Sequence, residues 1–228
     1  MIVLCNAGRW TVVRIPLALR FPTRLDIKFT HFQDLNSYAV LSIYPNLRVA
    51  ECTVATGDFC GSINVDRNFE GLLEARLGAR YSSMTAETQQ RIIKNFEPVK
   101  CKFRDREGQS IYHVSLPVMN TVPEAGVLDG ELHVTRDEMR ALFDPLIDRI
   151  LVLLSEQLQA ITSGGHCASW VLLAGDFGEL PYMYSRVKEW TDRWGMTLIQ
   201  PRESDLAAAK GAALWGIESS LGPSRLGS

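Results

Sequence analysis

A glycine-containing turn in the last third of the sequence is the first candidate for chemistry. Residues 174–178 read AGDFG, follow the apolar run 169–173 and precede a segment with helical spacing of apolar residues. Glycines between a strand and a helix N-terminus let backbone amides approach a ligand, and the helix dipole favours an anion there. The pattern indicates either phosphate binding or a tight strand–helix connection without a ligand.

Three weaker patterns accompany it. Gly57 and Gly61 flank a loop before a predicted helix, and such a loop either approaches a phosphate or simply connects two elements. Glu97 and Lys100 stand three residues apart near a helix end, which by default predicts a solvated ion pair. The triplet 176–178, DFG, also occurs in protein kinases, but the glycine-rich loop, the strand lysine and the catalytic loop of kinases do not precede it.

Histidine and cysteine spacing does not predict a metal site or a catalytic nucleophile. The four histidines are dispersed, none has a partner at metal-ligand spacing, and His113 and His133 fall in predicted strands as ordinary strand residues; the four are His31, His113, His133 and His166. The cysteines lack CxxC spacing, so they are interpreted as scattered thiols of a reducing compartment; they are Cys5, Cys52, Cys60, Cys101 and Cys167. No nucleophile elbow is present, and the sequence predicts no catalytic residue of this kind.

Composition excludes several classes of protein. The 228 residues are 46% apolar, which is typical of a chain that folds around a core. The net charge of −2 argues against a nucleic-acid partner or a membrane-surface partner. No apolar run reaches the roughly 18 residues of a membrane span, and no basic leader precedes an apolar stretch. We therefore expect a cytoplasmic protein.

The elements that must position the candidate residues form a mixed α/β pattern. A capping box at Thr135 and Glu138 starts the best-patterned helix, which extends to residue 161. A β-hairpin is predicted from 100–103 and 111–116. The other predicted strands are 2–5, 37–43, 48–55, 131–134, 169–173 and 196–199, and the other predicted helices are 65–77, 86–97, about 179–194 and the small-residue-rich 205–218.

Five segments in a fixed order carry a family resemblance. They are 54–78, 95–103, 129–150, 170–187 and 200–217. Over residues 34–217 the chain resembles the C-terminal half of the actin-like ATPase domain of seventy-kilodalton heat-shock chaperones. It is most similar to divergent fungal-type relatives that lack a standard peptide-binding domain.

The resemblance implies a ribonuclease-H-like subdomain from 1–58 and 134–220, a smaller inserted α+β lobe over 59–133, and a tail over 221–228. It also implies ATP or ADP with Mg²⁺ in a cleft between two halves of the molecule. Gly61 would lie on the phosphate and ribose side, and Glu97 and Lys100 would meet the ribose and adenine. The nucleotide-binding positions implied by the resemblance are Gly8, Thr11, Gly61, Glu97, Lys100, Gly175, Phe177, Gly178 and Asp205. Of these, Gly175, Phe177 and Gly178 would lie beside the adenosine, and Asp205 would shape the purine pocket.

Departures from the family pattern predict that this chain does not hydrolyse ATP alone. The family's second phosphate loop, Asp-x-Gly-Gly-Gly-Thr, is matched by residues 6–11, NAGRWT. Asn6 replaces the aspartate that organises the magnesium waters, and Arg9 and Trp10 replace two glycines, so an indole occupies phosphate space. Asp176 adds a negative charge where the family has a second glycine. The first phosphate loop and the catalytic lysine of the family's N-terminal half have no counterpart in the sequence, so nucleotide binding is expected to be weak or absent.

Residues 13–33 form an insertion relative to the family. There the phosphate hairpin continues directly from Gly-Thr-Val into Asp-Leu-Ile-Ser-Tyr, whereas here Val12 and Asp34 are separated. Every valine codon begins with GT and glutamine can be CAG, which are the usual first and last letters of an intron. The segment is either translated intron or a genuine loop.

Two functional hypotheses remain, with different partners. The first is a heat-shock-chaperone-like ATPase domain fragment that binds a nucleotide. The alternative is a non-enzymatic degenerate paralogue that acts as a binding scaffold or has no ligand. Because half of the family domain has no counterpart, an exposed apolar face and self-association are expected. A Rossmann-like enzyme is disfavoured, since no GxGxxG follows the first strand.

Overall fold

The computed structural model of the chain describes residues 1–6, 33–42, 48–116, 119–201 and 213. Gly8, Thr11, Asp205, nearly all of the 13–33 insertion, all but one residue of the final predicted helix and the tail lie outside the described residues. The strands are β1 (Ile2–Asn6), β2 (Gln33–Ser42), β3 (Arg48–Glu51), β4 (Thr56–Asp58), β5 (Ile111–Ser115), β6 (Val127–Leu128), β7 (Glu131–Thr135), β8 (Cys167–Leu172) and β9 (Thr197–Ile199). The helices are α1 (Ile63–Leu77), α2 (Ala79–Ser82), α3 (Ala86–Lys102), α4 (Arg136–Ser163) and α5 (Pro181–Arg193).

The larger sheet is mixed, as the sequence predicted. Its strand order is β3-β2-β1-β8-β9, and β4 pairs with the start of β2. The strands β8 and β9 run parallel to each other, and β9 forms one edge of the sheet. Helix α4 contacts both β2 and β8, so it covers the centre of this sheet.

The direction of β1 differs from the hairpin that the family resemblance implies. β1 runs parallel to β2, with Ile2 opposite Asn36, and antiparallel to β8. A parallel pair needs a crossover connection of about a dozen residues or more, which a tight hairpin turn cannot supply. In this arrangement the segment between Asn6 and Gln33 is the connection, and removing residues 13–33 would leave it short.

The smaller sheet has the order β5-β7-β6. In β5 and β7 buried and solvent-facing residues alternate, because one face of the sheet packs on the core and the other is open to solvent. The predicted hairpin of 100–103 with 111–116 is wrong. Residues 100–102 are the last turn of α3, and the partner of β5 is β7. The helix continues past Pro98, with Phe96 and Lys100 buried on the same helix face.

The capping box predicted for α4 is confirmed. The Thr135 hydroxyl accepts a hydrogen bond from the Glu138 amide, and the Glu138 carboxylate accepts one from the Thr135 amide at 2.8 Å. The helix that follows has 28 residues and continues through Pro145. Its N-terminus is thereby held at the end of β7, while its C-terminal half lies against the larger sheet.

One continuous apolar core joins the two sheets. It extends from Met1 to Leu198 and includes buried residues of both sheets and of α1 to α5. Phe69 of α1 stacks on Phe96 of α3 with ring centroids 4.0 Å apart. Phe103, at the end of α3, contacts the rings of Phe143 and Tyr182. The two sheets therefore share one core.

Gln157 of α4 makes hydrogen bonds to the segment that connects β3 to β4. Its amide nitrogen donates to the Val54 carbonyl at 2.8 Å and to the Thr56 hydroxyl at 3.0 Å. Its amide oxygen accepts from the hydroxyls of Ser37 and Thr53. The side chain is buried, so this polar contact replaces the hydrogen bonds that a continuous strand would make.

Candidate functional site

Lys100 lies at the centre of a buried charge cluster between α1 and α3. Its side chain is only 4% exposed, and Nζ lies 2.8 and 2.9 Å from the two carboxylate oxygens of Asp66 and 2.6 Å from Oε2 of Glu97. Burial disfavours the charged form of Lys100, but the hydrogen bonds to Asp66 and Glu97 outweigh it and raise its pKa above the ordinary value. Lys100 therefore remains protonated, with Glu97 at the solvent side of the pair.

Asp66 is a member of this cluster that the sequence analysis missed. It lies in the first turn of α1, next to buried Val65 and one turn before Phe69. The stacked rings of Phe69 and Phe96 set the distance between α1 and α3, which brings Asp66 to Lys100. No local pattern predicts a contact between residues on two different helices.

Gly61 lies in the loop between β4 and α1, as the sequence predicted, but Gly57 lies inside β4, paired with Asp34 of β2, so the loop is shorter than predicted. Its carbonyl accepts from the Asn64 backbone amide at 3.0 Å and from the Asn64 side-chain amide. Nearby, Asp58 forms an ion pair with Arg149 of α4 and accepts the Phe59 amide at 2.7 Å. The hydrogen bond from Arg149 holds the pKa of Asp58 below its usual range, so this loop carries a fixed carboxylate.

The turn at Gly175 connects β8 to α5 and has the predicted strand–turn–helix form. Gly175 has a φ of 95°, a conformation that favours glycine, and residues Asp176–Glu179 form a short 3₁₀ turn before α5 begins at Pro181. The Gly178 carbonyl accepts from the Gln200 side chain at 2.7 Å. A Cβ at Gly178 would lie 2.9 Å from Cγ of Leu173, the buried residue just after β8, so the close packing here favours glycine.

Phe177 lies inside the core. Its side chain is 4% exposed and packs with the apolar cluster, so only its backbone is available to a ligand beside Gly175. Asp176 is exposed at the same turn.

An aromatic contact brings the end of α3 next to the start of α5. Phe103 follows Lys100 by one turn, and its ring centroid lies 4.7 Å from that of Tyr182 in the first turn of α5. The Tyr182 hydroxyl donates to Asp144 at 2.7 Å, and burial together with this bond raises the pKa of Tyr182 to about 12. The contact joins the elements that carry the Lys100 cluster and the Gly175 turn.

The site residues fall into three groups. Glu97 and Lys100 are in direct contact. Gly61 lies in the loop between β4 and α1, and Gly175 and Gly178 lie in the turn between β8 and α5. Gly8, Thr11 and Asp205 lie outside the described residues.

The thiols near these loops are poor nucleophiles at neutral pH. Burial raises the pKa of Cys60 to about 11 and also raises the pKa of Cys5, which lies 3.4 Å from Cys52 sulfur to sulfur. The described site therefore offers hydrogen bonds and charge to a ligand more readily than a covalent attachment point.

The histidines that are dispersed in the sequence are not all separate in the fold. His113 of β5 and His133 of β7 lie directly opposite each other in the register of the smaller sheet. Their ring centroids are 4.5 Å apart. Sequence spacing alone missed this contact, because it is created by strand pairing.

Comparisons with known proteins support the fold. No protein-family model matches the sequence, and no curated protein matches it. Among solved structures, the chain is similar to MreB 5 of Spiroplasma citri bound to AMPPNP, with a TM-score of 0.50 and 11% identity. The match covers 96% of this chain and 54% of that chain, so this chain spans about half of that protein's length. At this identity the likeness shows a mixed α/β fold of the actin-like kind.

The described residues contain no helix that is both long and apolar enough to cross a membrane.

Proposed function

We propose that this chain is an actin-type nucleotide-binding half that holds the adenosine part of ATP or ADP and does not hydrolyse ATP alone. The finer assignment, to a heat-shock-chaperone-like ATPase domain with Mg²⁺ at the phosphates, belongs to the same proposal. The observation that carries it is the Lys100 cluster, since Lys100 and Glu97 are the positions that the chaperone resemblance connects with ribose and adenine.

The geometry of the cluster supports recognition of a ribose. Glu97 is about half exposed while its partner Lys100 is buried. The ion pair with the Lys100 ammonium therefore holds the Glu97 carboxylate in one position at the surface. A carboxylate fixed in this way accepts hydrogen bonds from sugar hydroxyls without the entropic cost of ordering the side chain. Asp66 binds the Lys100 ammonium from α1, and this second ion pair helps to keep the Lys100 side chain buried.

The turn at Gly175 supports an approach of the nucleoside to backbone. Gly175 lacks a side chain and lies at the carboxyl end of β8, where ligands of α/β sheets bind. AMPPNP, the ligand in the MreB 5 structure, is an ATP analogue, which agrees with a nucleotide in this fold. The part of the site that would bind the phosphates is assigned to residues 6–11 by the resemblance alone.

The proposed lack of hydrolysis rests on the sequence. Arg9 and Trp10 stand where the family has glycines, and Asn6 stands where it has the aspartate that organises magnesium waters. Without that carboxylate, and with a tryptophan at a position that the resemblance assigns to the phosphate loop, a metal-bound triphosphate would not be positioned for attack by water.

A scaffold function is the second candidate, and one observation favours it. Val54, before β4, is 85% exposed, and Phe59, between β4 and Gly61, is 72% exposed. Large apolar side chains exposed on a folded chain are typical of a contact surface when a partner covers them. A second protein segment seated there would complete the cleft, and a second copy of this chain would give self-association.

Isothermal titration of the full chain with Mg-ATP and Mg-ADP separates the two candidates. We expect weak binding of both nucleotides, because half a cleft makes about half of the contacts. Glu97→Gln should weaken binding by roughly tenfold or more, since a hydrogen bond to a charged group contributes about 1.5–3 kcal/mol. Glu87→Gln removes a charge from the exposed start of the same helix and should leave binding unchanged.

Two results would count against the proposal. No heat and no thermal shift at millimolar nucleotide would refute nucleotide binding and leave the scaffold function. Release of inorganic phosphate from ATP by the chain alone, lost in Glu97→Gln, would refute the proposed lack of hydrolysis.

A further inference from the structure

Three metal-ligating side chains meet on the open face of the smaller sheet. They are His113 of β5 and Glu131 and His133 of β7. Their neighbours in the two strands point the other way, since Tyr112, Val114, Leu132 and Val134 are buried. The alternation of the strands therefore places all three on one face.

The strand register sets their mutual positions. His113 pairs directly with His133, and Glu131 pairs with Ser115, so Glu131 lies diagonally across from His113. Nδ1 of His113 lies 3.2 Å from Oε2 of Glu131, and the two imidazole rings meet edge to face with an interplanar angle of 80°. One ligand atom from each of the three residues lies within 4.8 Å of the others.

We propose that His113, Glu131 and His133 form a binding site for Zn²⁺ with three protein ligands. Two imidazoles and a carboxylate are a ligand set that zinc uses, with water at the fourth position. Zinc–ligand distances of about 2.0–2.1 Å in a tetrahedron put neighbouring ligand atoms about 3.4 Å apart. The 3.2 Å between His113 and Glu131 already matches this edge, and small side-chain rotations bring in His133.

The backbone beneath His133 is held on both sides, which keeps the site in place before an ion arrives. Its amide donates to the Gly126 carbonyl at 2.8 Å, and its carbonyl accepts from Arg76 at 2.7 Å. The charge of Arg76 is paired with Glu138, so it opposes a bound cation less than a free guanidinium would. Ligands on a fixed backbone lose little freedom on binding metal.

Ligation across β5 and β7 would stabilise the protein around these strands. β7 leads directly into α4 through Thr135, so a metal that fixes β7 also fixes the start of the longest helix. An ion that binds the folded state and not the unfolded state raises the melting temperature, and the rise grows with the logarithm of the free ion concentration above its dissociation constant. The inference does not depend on nucleotide binding.

Titration of the full, chelator-treated chain with ZnCl₂ tests the site. We expect one ion per chain and a higher melting temperature. His113→Ala, Glu131→Gln and His133→Ala should each weaken binding by roughly tenfold or more. The matched control is His166→Ala, a histidine in a different part of the fold just before β8.

Cobalt substitution identifies the ligands independently of affinity. Co²⁺ bound by nitrogen and oxygen gives weak visible bands, whereas thiolate ligands add an intense near-ultraviolet band. We expect the weak bands alone, and we expect them to disappear in the His113→Ala/His133→Ala double variant. Both replaced side chains lie on the solvent face, so circular dichroism should show that this variant folds.

Three results would overturn the proposal. Unchanged zinc affinity in the double variant would place the ion elsewhere. A thiolate band would assign the metal to cysteines such as exposed Cys101 and Cys167. Binding that does not saturate near one ion per chain would be adventitious surface binding only.

Discussion

The carboxylate of Asp66 on α1 binds the ammonium of Lys100 on α3 through both of its oxygens, at 2.8 and 2.9 Å. The contact joins two helices that are 34 residues apart at these positions. It leaves Glu97 as the solvent-side partner of the same lysine. The stability of the fold and the proposed ribose contact therefore share one ion cluster.

Asp66→Asn should destabilise the protein strongly. The change keeps the shape of the side chain but leaves Lys100 buried with a single, half-exposed carboxylate partner. Breaking a buried pair in this way costs about 3 kcal/mol. Urea unfolding at pH 7 measures the loss. Asp137→Asn, at an exposed position in the first turn of α4, should change the free energy of unfolding by less than about 0.5 kcal/mol, and an equal loss in both variants would contradict the prediction.

Gln157→Leu should destabilise the join between β3 and β4. Leucine has a similar volume but leaves the Ser37 hydroxyl and the Val54 carbonyl without the partners they have now. The expected cost is about 1–3 kcal/mol by urea unfolding. Gln159→Leu changes an exposed glutamine of the same helix and should be nearly neutral. A neutral Gln157→Leu would mean that the contact contributes nothing to stability.

Gly178→Ala should destabilise the turn between β8 and α5. The added methyl group would lie 2.9 Å from Leu173 Cγ, so the buried leucine must move at a cost of about 1–3 kcal/mol. Gly71→Ala is the matched control, because nothing lies within 4 Å of a Cβ there and the residue is helical. That variant should be more stable by about 0.5–1 kcal/mol. If the melting temperatures of both variants moved in the same direction, the predicted role of Gly178 in packing the turn would be wrong.

The capping box of α4 should make stability depend on pH through Glu138. Burial raises the pKa of Glu138, but hydrogen bonds from Thr135 and Arg76 outweigh it, and the pKa lies below its ordinary value of 4.5. The unfolded chain therefore binds a proton more readily than the folded one. The contribution of Glu138 is fully present above about pH 4.5 and is lost as the pH falls through the lowered folded-state pKa.

Thermal unfolding of Glu138→Gln between pH 7 and pH 3 measures this contribution. The wild-type advantage over the variant should shrink as the pH falls. Thr135→Ala should cost about 1 kcal/mol at pH 7, since it removes the hydroxyl that accepts the Glu138 amide. A constant difference between wild type and Glu138→Gln at every pH would show that the carboxylate charge is not involved.

Much of the secondary structure could be predicted from local patterns. The helical spacing of apolar residues predicted α1, α4 and α5 within a few residues, and the pair of Thr135 and Glu138 predicted where α4 begins. The hairpin assigned to 100–103 was wrong because four residues that alternate between lysine and an apolar side chain do not distinguish a strand from the last turn of a helix. In the structure residues 100–102 end α3, and Lys100 meets Asp66 of α1 there.

By itself, the sequence determined most of the long helices and strands, the strand–glycine-turn–helix unit at Gly175, and the residue types available for binding. Those properties depend on neighbours within a few positions along the chain, so spacing and side-chain type carry them. Only the tertiary structure decided the parallel pairing of β1 with β2, the contact of Asp66 with Lys100, and the meeting of His113, Glu131 and His133 on one sheet face. These depend on strand register and on how helices pack, which are settled by burial of the whole core and have no local counterpart in the sequence.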